Sequence, residues 1–478
     1  TARWQALVDA ERYQVLRDTQ VFEAPPAFVE EVVVFQGGRG ETVRIGDFST
    51  LEAAARLTNP ALPLPTGEGV LNLGADYRRS SMAPFTDERR RGDGSLVGEP
   101  IFWQGRRLER YSVFGELQAP VLPQRRRPRW MEDLTASLAV RYVAADSARE
   151  TNVAPTAGFK LTLASGVALR ASFTTSNRYP PPRMSSRTSG AGGPGSGLTL
   201  IPIVDPRRNE RYEVTEELDL APALSSESAV TQTAGLIYQR GDRRRIRISL
   251  DYVDTRKTDE HIGLEPQAVV DLEDLFPDRI TRAPGVDGLP GRIRTLLTGA
   301  VNAASRRSEN WNLAVDYARA DTFGGVLEFR SRVVVFQRYD LQLFANSPVV
   351  DQIREPDGAV PGLLRYRAHF NAGWSGPRHG FGIDGQYFHS RILPLSERPA
   401  QGSDRLKGYW QFDAYLQTDL SGLLPGRAER GSLRAQLRVN NVFGFDPPKF
   451  ANERTGAGVL SYGDWRGRVY SVSLTTAF

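Results

Sequence analysis

Residues 159–176 read FKLTLASGVALRASFTTS. Phe159, Leu161 and Leu163 alternate with Lys160 and Thr162, and beyond Ser165 and Gly166 the series Val167, Leu169, Ala171, Phe173 alternates with Arg170, Ser172 and Thr174. Successive side chains of a strand point to opposite faces, so period-two alternation broken by a Ser-Gly pair predicts two antiparallel strands and a tight turn. One face of this hairpin is apolar; the other carries charges and hydroxyls.

The same rule extends outward in both directions. Upstream, Leu134, Ala136, Leu138, Val140 and Tyr142 oppose Thr135, Ser137 and Arg141; Tyr111, Val113, Leu117 and Ala119 oppose Ser112, Glu116 and Gln118; Leu71, Leu73, Ala75 and Tyr77 oppose Asn72 and Asp76. Downstream, Ile246, Ile248, Leu250 and Tyr252 oppose Arg247, Ser249 and Asp251, and Trp311, Leu313, Val315 and Tyr317 oppose Asn312 and Asp316. Leu364, Tyr366, Ala368 and Phe370 oppose Arg365, Arg367 and His369; Leu433, Ala435, Leu437 and Val439 oppose Arg434, Gln436 and Arg438; the chain ends on Tyr470, Val472, Leu474 and Phe478.

A half-buried soluble sheet would show one apolar face too. Two features favour a membrane. The polar faces carry full charges strand after strand, which suits a wet lumen. The alternating stretches run about 9–12 residues, enough to cross the hydrocarbon layer when tilted, against a soluble mode of about 5–6. Tyr77, Tyr111, Tyr142, Tyr252, Tyr317, Trp374 and Tyr470 fall near strand ends, where an interfacial girdle places aromatics. Connections alternate in length, short at 164–166, 241–243, 319–325 and 375–378, medium near 120–131 and 421–430, long at 83–107, 178–228, 258–290, 339–360, 392–406 and 443–466, with 146–150 a short exception on the long-loop side. The 178–228 connection opens on Pro180, Pro181 and Pro182 and a Gly/Ser-rich run, so part of it is expected to be mobile. The expected fold is all-β, an antiparallel transmembrane β-barrel of about 14–16 strands. Residues 68–478 form its strands and loops; residues 1–67 are a helical or loop segment with one early strand near 42–57.

Composition agrees. The chain has 478 residues, 45 Gly, 31 Pro, no Cys and a net charge of +5. Without cysteine, disulfides, zinc-thiolate sites and cysteine nucleophiles are excluded. No apolar run approaches the roughly 18 residues of a membrane helix. The basic residues are nearly all arginine, the four lysines being Lys160, Lys257, Lys407 and Lys449.

Several ordered motifs resemble the TonB-dependent receptor family: Tyr111 to Pro120 (YSVFGELQAP) followed by Leu134 to Tyr142 (LTASLAVRY); Asn152 to Phe159 followed by Leu169 to Ser176; Pro222 to Ser228 (PALSSES), where Ser226 replaces the family's proline; Phe276 to Arg279; and Asn440-Asn441-Val442-Phe443 with Pro447-Pro448 and Gly467 to Tyr470. The resemblance covers residues from about 66 to the end and implies an outer-membrane receptor of a Gram-negative bacterium. It further implies energy-coupled uptake of a scarce solute such as a siderophore, metal chelate or carbohydrate, with outer-membrane lipid and the TonB complex as partners. It also implies a terminal strand, Tyr470, Val472, Leu474 and Phe478, read by the barrel-assembly machinery. Family members carry a plug domain, a TonB-contacting segment and 22 strands. Neither plug nor contact segment is recognisable here, so the chain is expected to be the barrel-bearing part of such a receptor. A passive porin-like barrel and a soluble β-rich binding or adhesive protein are the alternative readings.

No catalytic constellation stands out, and neither enzyme activity nor a cofactor is expected. His261, His369, His379 and His389 lack metal-ligand spacing. Arg125 to Arg127 and Arg243 to Arg245 fall at turns and read as solvated or lipid-phosphate charge rather than a nucleic-acid patch. Glu116, Arg141, Arg170, Arg247, Asp251, Asp316, Arg365, Arg367, Arg434 and Arg438 are expected to face the lumen, chiefly as ion pairs. Small-molecule contact is expected in the long loops, where Trp103, Arg106 and Arg107 form one aromatic–basic cluster and Arg178 with Tyr179 another.

Overall fold

Backbone pairing turns the alternation into one continuous sheet. The computed structural model describes residues 3–14, 31–36, 39–44, 47–87, 89–91, 101–146, 150–182, 188–190, 199–219, 224–264, 266–285, 288–356, 363–395, 397–421, 432–452, 456–459 and 466–477. Sixteen strands follow one another, each antiparallel to the next. They are β1 (Arg3–Gln14), β2 (Asp47–Leu64), β3 (Gly67–Met82), β4 (Arg106–Pro120), β5 (Met131–Ala145), β6 (Glu150–Leu163), β7 (Val167–Arg178) and β8 (Glu227–Arg240). Then come β9 (Arg244–Leu264), β10 (Ile293–Thr322), β11 (Gly325–Gln342), β12 (Tyr366–Ser375), β13 (His379–Phe388), β14 (Tyr409–Asp419), β15 (Ser432–Asn440) and β16 (Val469–Ala477). Every neighbour in this series is joined by a register of Cα partners.

The alternating stretches fall inside these strands, except that Leu364 and Arg365 precede β12 and Phe478 lies outside the described residues. One expectation fails at the start. The segment read as helix or loop is strand β1, paired residue for residue with β2 from Arg3 opposite Thr58 to Gln14 opposite Asp47. Pairing with a distant segment overrides local preference.

The tight turns lie on one rim, together with the medium connections after β4 and β14, and the long connections lie on the other, where the short β5–β6 connection at 146–149 is the exception. The β10–β11 turn is Phe323-Gly324, both at positive φ (52° and 74°), which matches a two-residue hairpin to the right-handed twist of its strands. Strands β9 and β10 have 21 and 30 residues. A tilted bilayer crossing takes about 9–11, so both project far beyond it at the long-loop rim.

The two faces differ as alternation requires. Leu138 is 61% exposed, Val153 60%, Phe159 51% and Leu474 67%, and no second sheet covers them among the described residues. Such a band of bare apolar side chains needs lipid against it. No helix among the described residues is long and apolar enough to cross a membrane.

The largest buried apolar cluster sits away from the sheet's span, at the long-loop rim: Ile203, Val214, Leu264, Val269, Val270, Ile293, Leu296, Val301 and Phe344. It is built by a hairpin of residues Thr199–Asp205 and Glu210–Asp219, a helical turn Pro266–Asp271, and the outer part of β10, which Thr215–Asp219 joins in parallel. The connection expected to be partly mobile thus carries a strand hairpin; its Gly/Ser run at 191–198 lies outside the described residues.

Candidate functional site

On the polar face, acids meet bases across strands. Arg141 Nη2 on β5 lies 2.5 Å from Asp76 on β3, whose carboxylate also accepts the Ser112 hydroxyl proton at 2.6 Å. Arg170 on β7 forks onto Asp251 on β9 at 2.9 and 2.7 Å. That pair spans the intervening strand at Gly235, where a Cβ would lie 1.9 Å from the Asp251 carboxylate. Gly235→Ala is therefore expected to break the bridge but not the barrel, costing about 1 kcal/mol or less for a half-exposed pair; denaturant midpoints of the variant and of Asp251→Asn should nearly coincide.

Arg332 holds Asp316 at 2.8 and 3.0 Å. Arg438 reaches Asp413 at 3.4 Å and Asp384 at 3.7 Å. Glu116 accepts a bond from the Asn72 amide at 3.4 Å. Arg434 stands opposite Asp419, and Arg247 opposite Asp316. Arg365 and Arg367 depart from the ion-pair expectation: their guanidiniums lie over the rings of Tyr366 and Phe388, at 5.3 and 5.4 Å, a favourable cation–π geometry. The alternation put Asp76 on this face without naming it a partner, and it gave no place to Arg332, Asp384 and Asp413. Their parity was readable; the register that joins them was not.

At the long-loop rim a second network clamps the apolar cluster. Arg282 donates to both Asp205 oxygens (2.7 and 3.1 Å), to both Glu273 oxygens (2.8 and 2.6 Å) and to the Gly291 carbonyl (2.8 Å). The Tyr212 hydroxyl donates to Asp205 at 2.6 Å and accepts the Ile293 amide at 2.8 Å. Burial alone would raise the Asp205 carboxyl, but the bonds from Arg282 and Tyr212 outweigh it and hold it below the usual range. Glu210 is lowered as well, first by the hydrogen bond from Arg208 and then, against some desolvation, by Arg292.

The sign of the pH dependence follows. A carboxylate depressed in the folded state contributes stability that is full above its unfolded value, and that is lost as pH falls through the folded one. Amide protection factors, corrected for the intrinsic slowing of exchange in acid, are expected to fall in residues 199–219 and 266–282 between about pH 5 and pH 2 while those of the sheet hold. Uniform protection across that range would refute the assignment.

The loop residues singled out from the sequence are placed unevenly. Trp103 is 2% exposed and stacks on Phe85 at 5.7 Å, so its ring is a brace and has little surface left for a solute. Arg106 is exposed, and Arg107 is exposed beside Glu109, with which it forms an ion pair. Arg178 is exposed, 3.5 Å from the buried Glu227. The hydroxyl of half-buried Tyr179 accepts the Asn152 amide at 3.0 Å. Both clusters stand at the same rim, and backbone pairing connects their loops: Ile101–Trp103 lies between Thr188–Gly190 and Phe85–Asp87 in a small three-stranded sheet.

Two signature positions acquire reasons. Ser226, where the resembling family has proline, donates its hydroxyl to Glu150 at 2.8 Å and accepts from Asn152 at 3.1 Å, tying the long 179–226 connection to β6. Asn441 is fully buried at φ 52°; its side chain accepts the Phe445 amide and donates to the Phe445 carbonyl, and Asp413 accepts its backbone amide. Asn tolerates that conformation better than most residues. His379 opens β13 and His389 follows its end, at opposite ends of one strand. Tyr470, Val472 and Leu474 lie on one face of β16 and are at least 65% exposed; Phe478 lies outside the described residues.

Comparison with known proteins fits this architecture. No curated protein sequence matches the chain. Among solved structures, it is similar to the ferric enterobactin receptor PfeA of Pseudomonas aeruginosa, with 14% identity, a TM-score of 0.58, and coverage of 92% of this chain and 58% of that one. It is also similar to the outer membrane transporter YddB of Escherichia coli (11%, 0.57, 93% and 61%) and the siderophore receptor PirA of Acinetobacter baumannii (11%, 0.57, 92% and 58%). The chain thus spans about three fifths of the length of these chains, and the likeness shows a common fold, a transmembrane β-barrel wall. The family model described as TonB dependent receptor-like, beta-barrel matches residues 3–442, and with its alternating strands, lipid-ready face and ion-paired opposite face the chain belongs to that family.

Proposed function

We propose that the protein is the barrel of a receptor in the outer membrane of a Gram-negative bacterium, serving energy-coupled uptake of a scarce solute such as a siderophore, metal chelate or carbohydrate. The observation that carries the reading is the division of one sheet into a bare apolar face and a face lined by cross-strand ion pairs. Lipid wets the first, and water and a passing solute occupy the second. The long-loop rim faces outward and captures the solute. Arg106, Arg107 and Arg178 supply exposed guanidiniums there, each able to fork onto carboxylate or catecholate oxygens. The coupling partner is the TonB complex, reached through a plug domain. The barrel-assembly machinery inserts the chain by reading the outward residues of its final strand.

The test is uptake by cells expressing the complete gene product. Labelled ferric siderophores, cobalamin and oligosaccharides are offered to a strain deleted for its own receptors, with and without a protonophore. Accumulation of one class that the protonophore abolishes supports the proposal. Accumulation that survives the protonophore identifies a passive barrel. Recovery of the protein in the aqueous phase after detergent partition removes both.

A further inference from the structure

On the apolar, outward face of β9, β10 and β11 the side chains change character in steps toward the long-loop rim. Leu250 and Leu313 stand opposite each other with their side chains exposed. One row further out, the rings of Tyr252 and Trp311 meet at 5.0 Å. The next row holds Asp254, Glu309 and Arg338, and the one after it Arg256, Arg307 and Asp340. The Tyr252 hydroxyl donates to Glu309 at 2.9 Å, which fixes the ionic rows on the same side as the aromatic pair. These charges keep the parity of the lipid-facing side chains. On that face a charge is strongly destabilising at mid-bilayer and tolerated at the interface. With two residues per row and about 3.3 Å per residue, the ionic rows lie roughly 7 and 13 Å along the strands beyond the aromatic pair, in the headgroup layer.

The charged residues form one chain of ion pairs. Arg256 lies 3.2 Å from Asp254, Arg307 lies 3.1 Å from Asp254 and 2.9 Å from Glu309, and Arg338 lies 3.3 Å from Glu309 and 3.5 Å from Asp340. The two central acids lie beneath and the bases above. Asp254 and Glu309 are buried, whereas the side chains of Arg256, Arg307 and Arg338 are 59%, 35% and 43% exposed. The acids thus hold three guanidiniums side by side while using only part of their donors: of its five N–H groups, Arg256 gives Asp254 those of Nη2. A guanidinium fork matches the oxygens of a phosphate. The cluster stands on the outer side of the wall, so whatever fills the lumen leaves it open.

We propose that these arginines bind the phosphates of an anionic outer-leaflet lipid, a phosphorylated glycolipid. Its acyl chains lie along Leu250 and Leu313, and its sugar rests against Tyr252 and Trp311. The site rests on the proposed membrane placement, with the long-loop rim facing outward, and does not depend on the solute or on energy coupling.

The test is native mass spectrometry of the complete gene product in neutral detergent. The probes are diphosphoryl lipid A, the same lipid stripped of its phosphates, and inorganic pyrophosphate; a heat-dependent shift in electrophoretic mobility reports the folded barrel. Diphosphoryl lipid A is expected to bind about tenfold or more tightly than the stripped lipid, and less tightly as salt is raised. Loss of charge-assisted hydrogen bonds in the Arg256→Gln/Arg338→Gln double variant should weaken its binding about tenfold or more, with the heat shift unchanged because Arg307 still holds both acids. Arg434→Gln, on the polar face of β15, should bind like the parent. Equal affinity for the phosphorylated and stripped lipids, equal affinity in parent and double variant, or pyrophosphate bound as tightly as the lipid overturns the proposal. A parent chain without the heat shift would remove the membrane placement itself, and the site with it.

Discussion

Leu138→Arg is expected to destabilise the inserted protein by about 2–4 kcal/mol, the cost of a cation facing hydrocarbon near the bilayer midplane. Leu138 is the central residue of β5 (Met131–Ala145) and is 61% exposed between Leu117 and Ala157 of the flanking strands. The control is its neighbour. Ser137 points to the other face, opposite Gln118 and Gly158, and Ser137→Arg is expected to cost about 0.5 kcal/mol or less because its guanidinium stays in water. Guanidinium unfolding in lipid vesicles, followed by tryptophan fluorescence and by the heat-dependent shift in electrophoretic mobility, measures both. Equal midpoints for the two variants would mean that the apolar face is not wetted by lipid.

The second large effect lies at the loops. Arg282→Met should destabilise the loop platform by about 3–5 kcal/mol, the usual cost of leaving a buried acid without its base. Asp205 is fully buried, and Arg282 bonds both of its oxygens; Arg282 also bonds both oxygens of the part-buried Glu273, which keeps Arg207 at 3.2 Å. The expected readout is local. Hydrogen exchange accelerates over residues 199–219, 266–282 and 293–304, while β5 to β8 keep their protection. Adding Asp205→Asn should recover part of the loss, because the orphaned buried charge is then gone. A variant in which protection falls equally in wall and loops would show that the platform is not an independently packed unit.

How legible was this structure? The strands were readable wherever one face meets lipid and the other water, because that boundary forces a strict period of two. Leu134 to Tyr142 lies inside β5, and Val167 to Phe173 inside β7, as the alternation places them. Residues 3–14 were not readable as strand, because nothing local says that Ala6 and Val8 will stand opposite Ala55 and Ala53. The hairpin at 199–219 was hidden by Pro202, which is rare inside strands, and by the Gly/Ser run before it. The ion pairs were half readable. Parity put Arg170 and Asp251 on one face, but only the register, with Gly235 opposite both, joins them. Trp103 shows the limit of local reading: an aromatic beside arginines looks like a sugar or siderophore contact, and only tertiary packing reveals Phe85 stacked on it.

The small sheet of 85–87, 101–103 and 188–190 has a mechanical consequence. Two segments that leave the wall from different staves are stitched by main-chain bonds, so they swing as one flap rather than two tentacles. On the proposed reading, in which Arg178 and Arg106 contact a solute, a pull on either loop is passed to the other through these main-chain bonds.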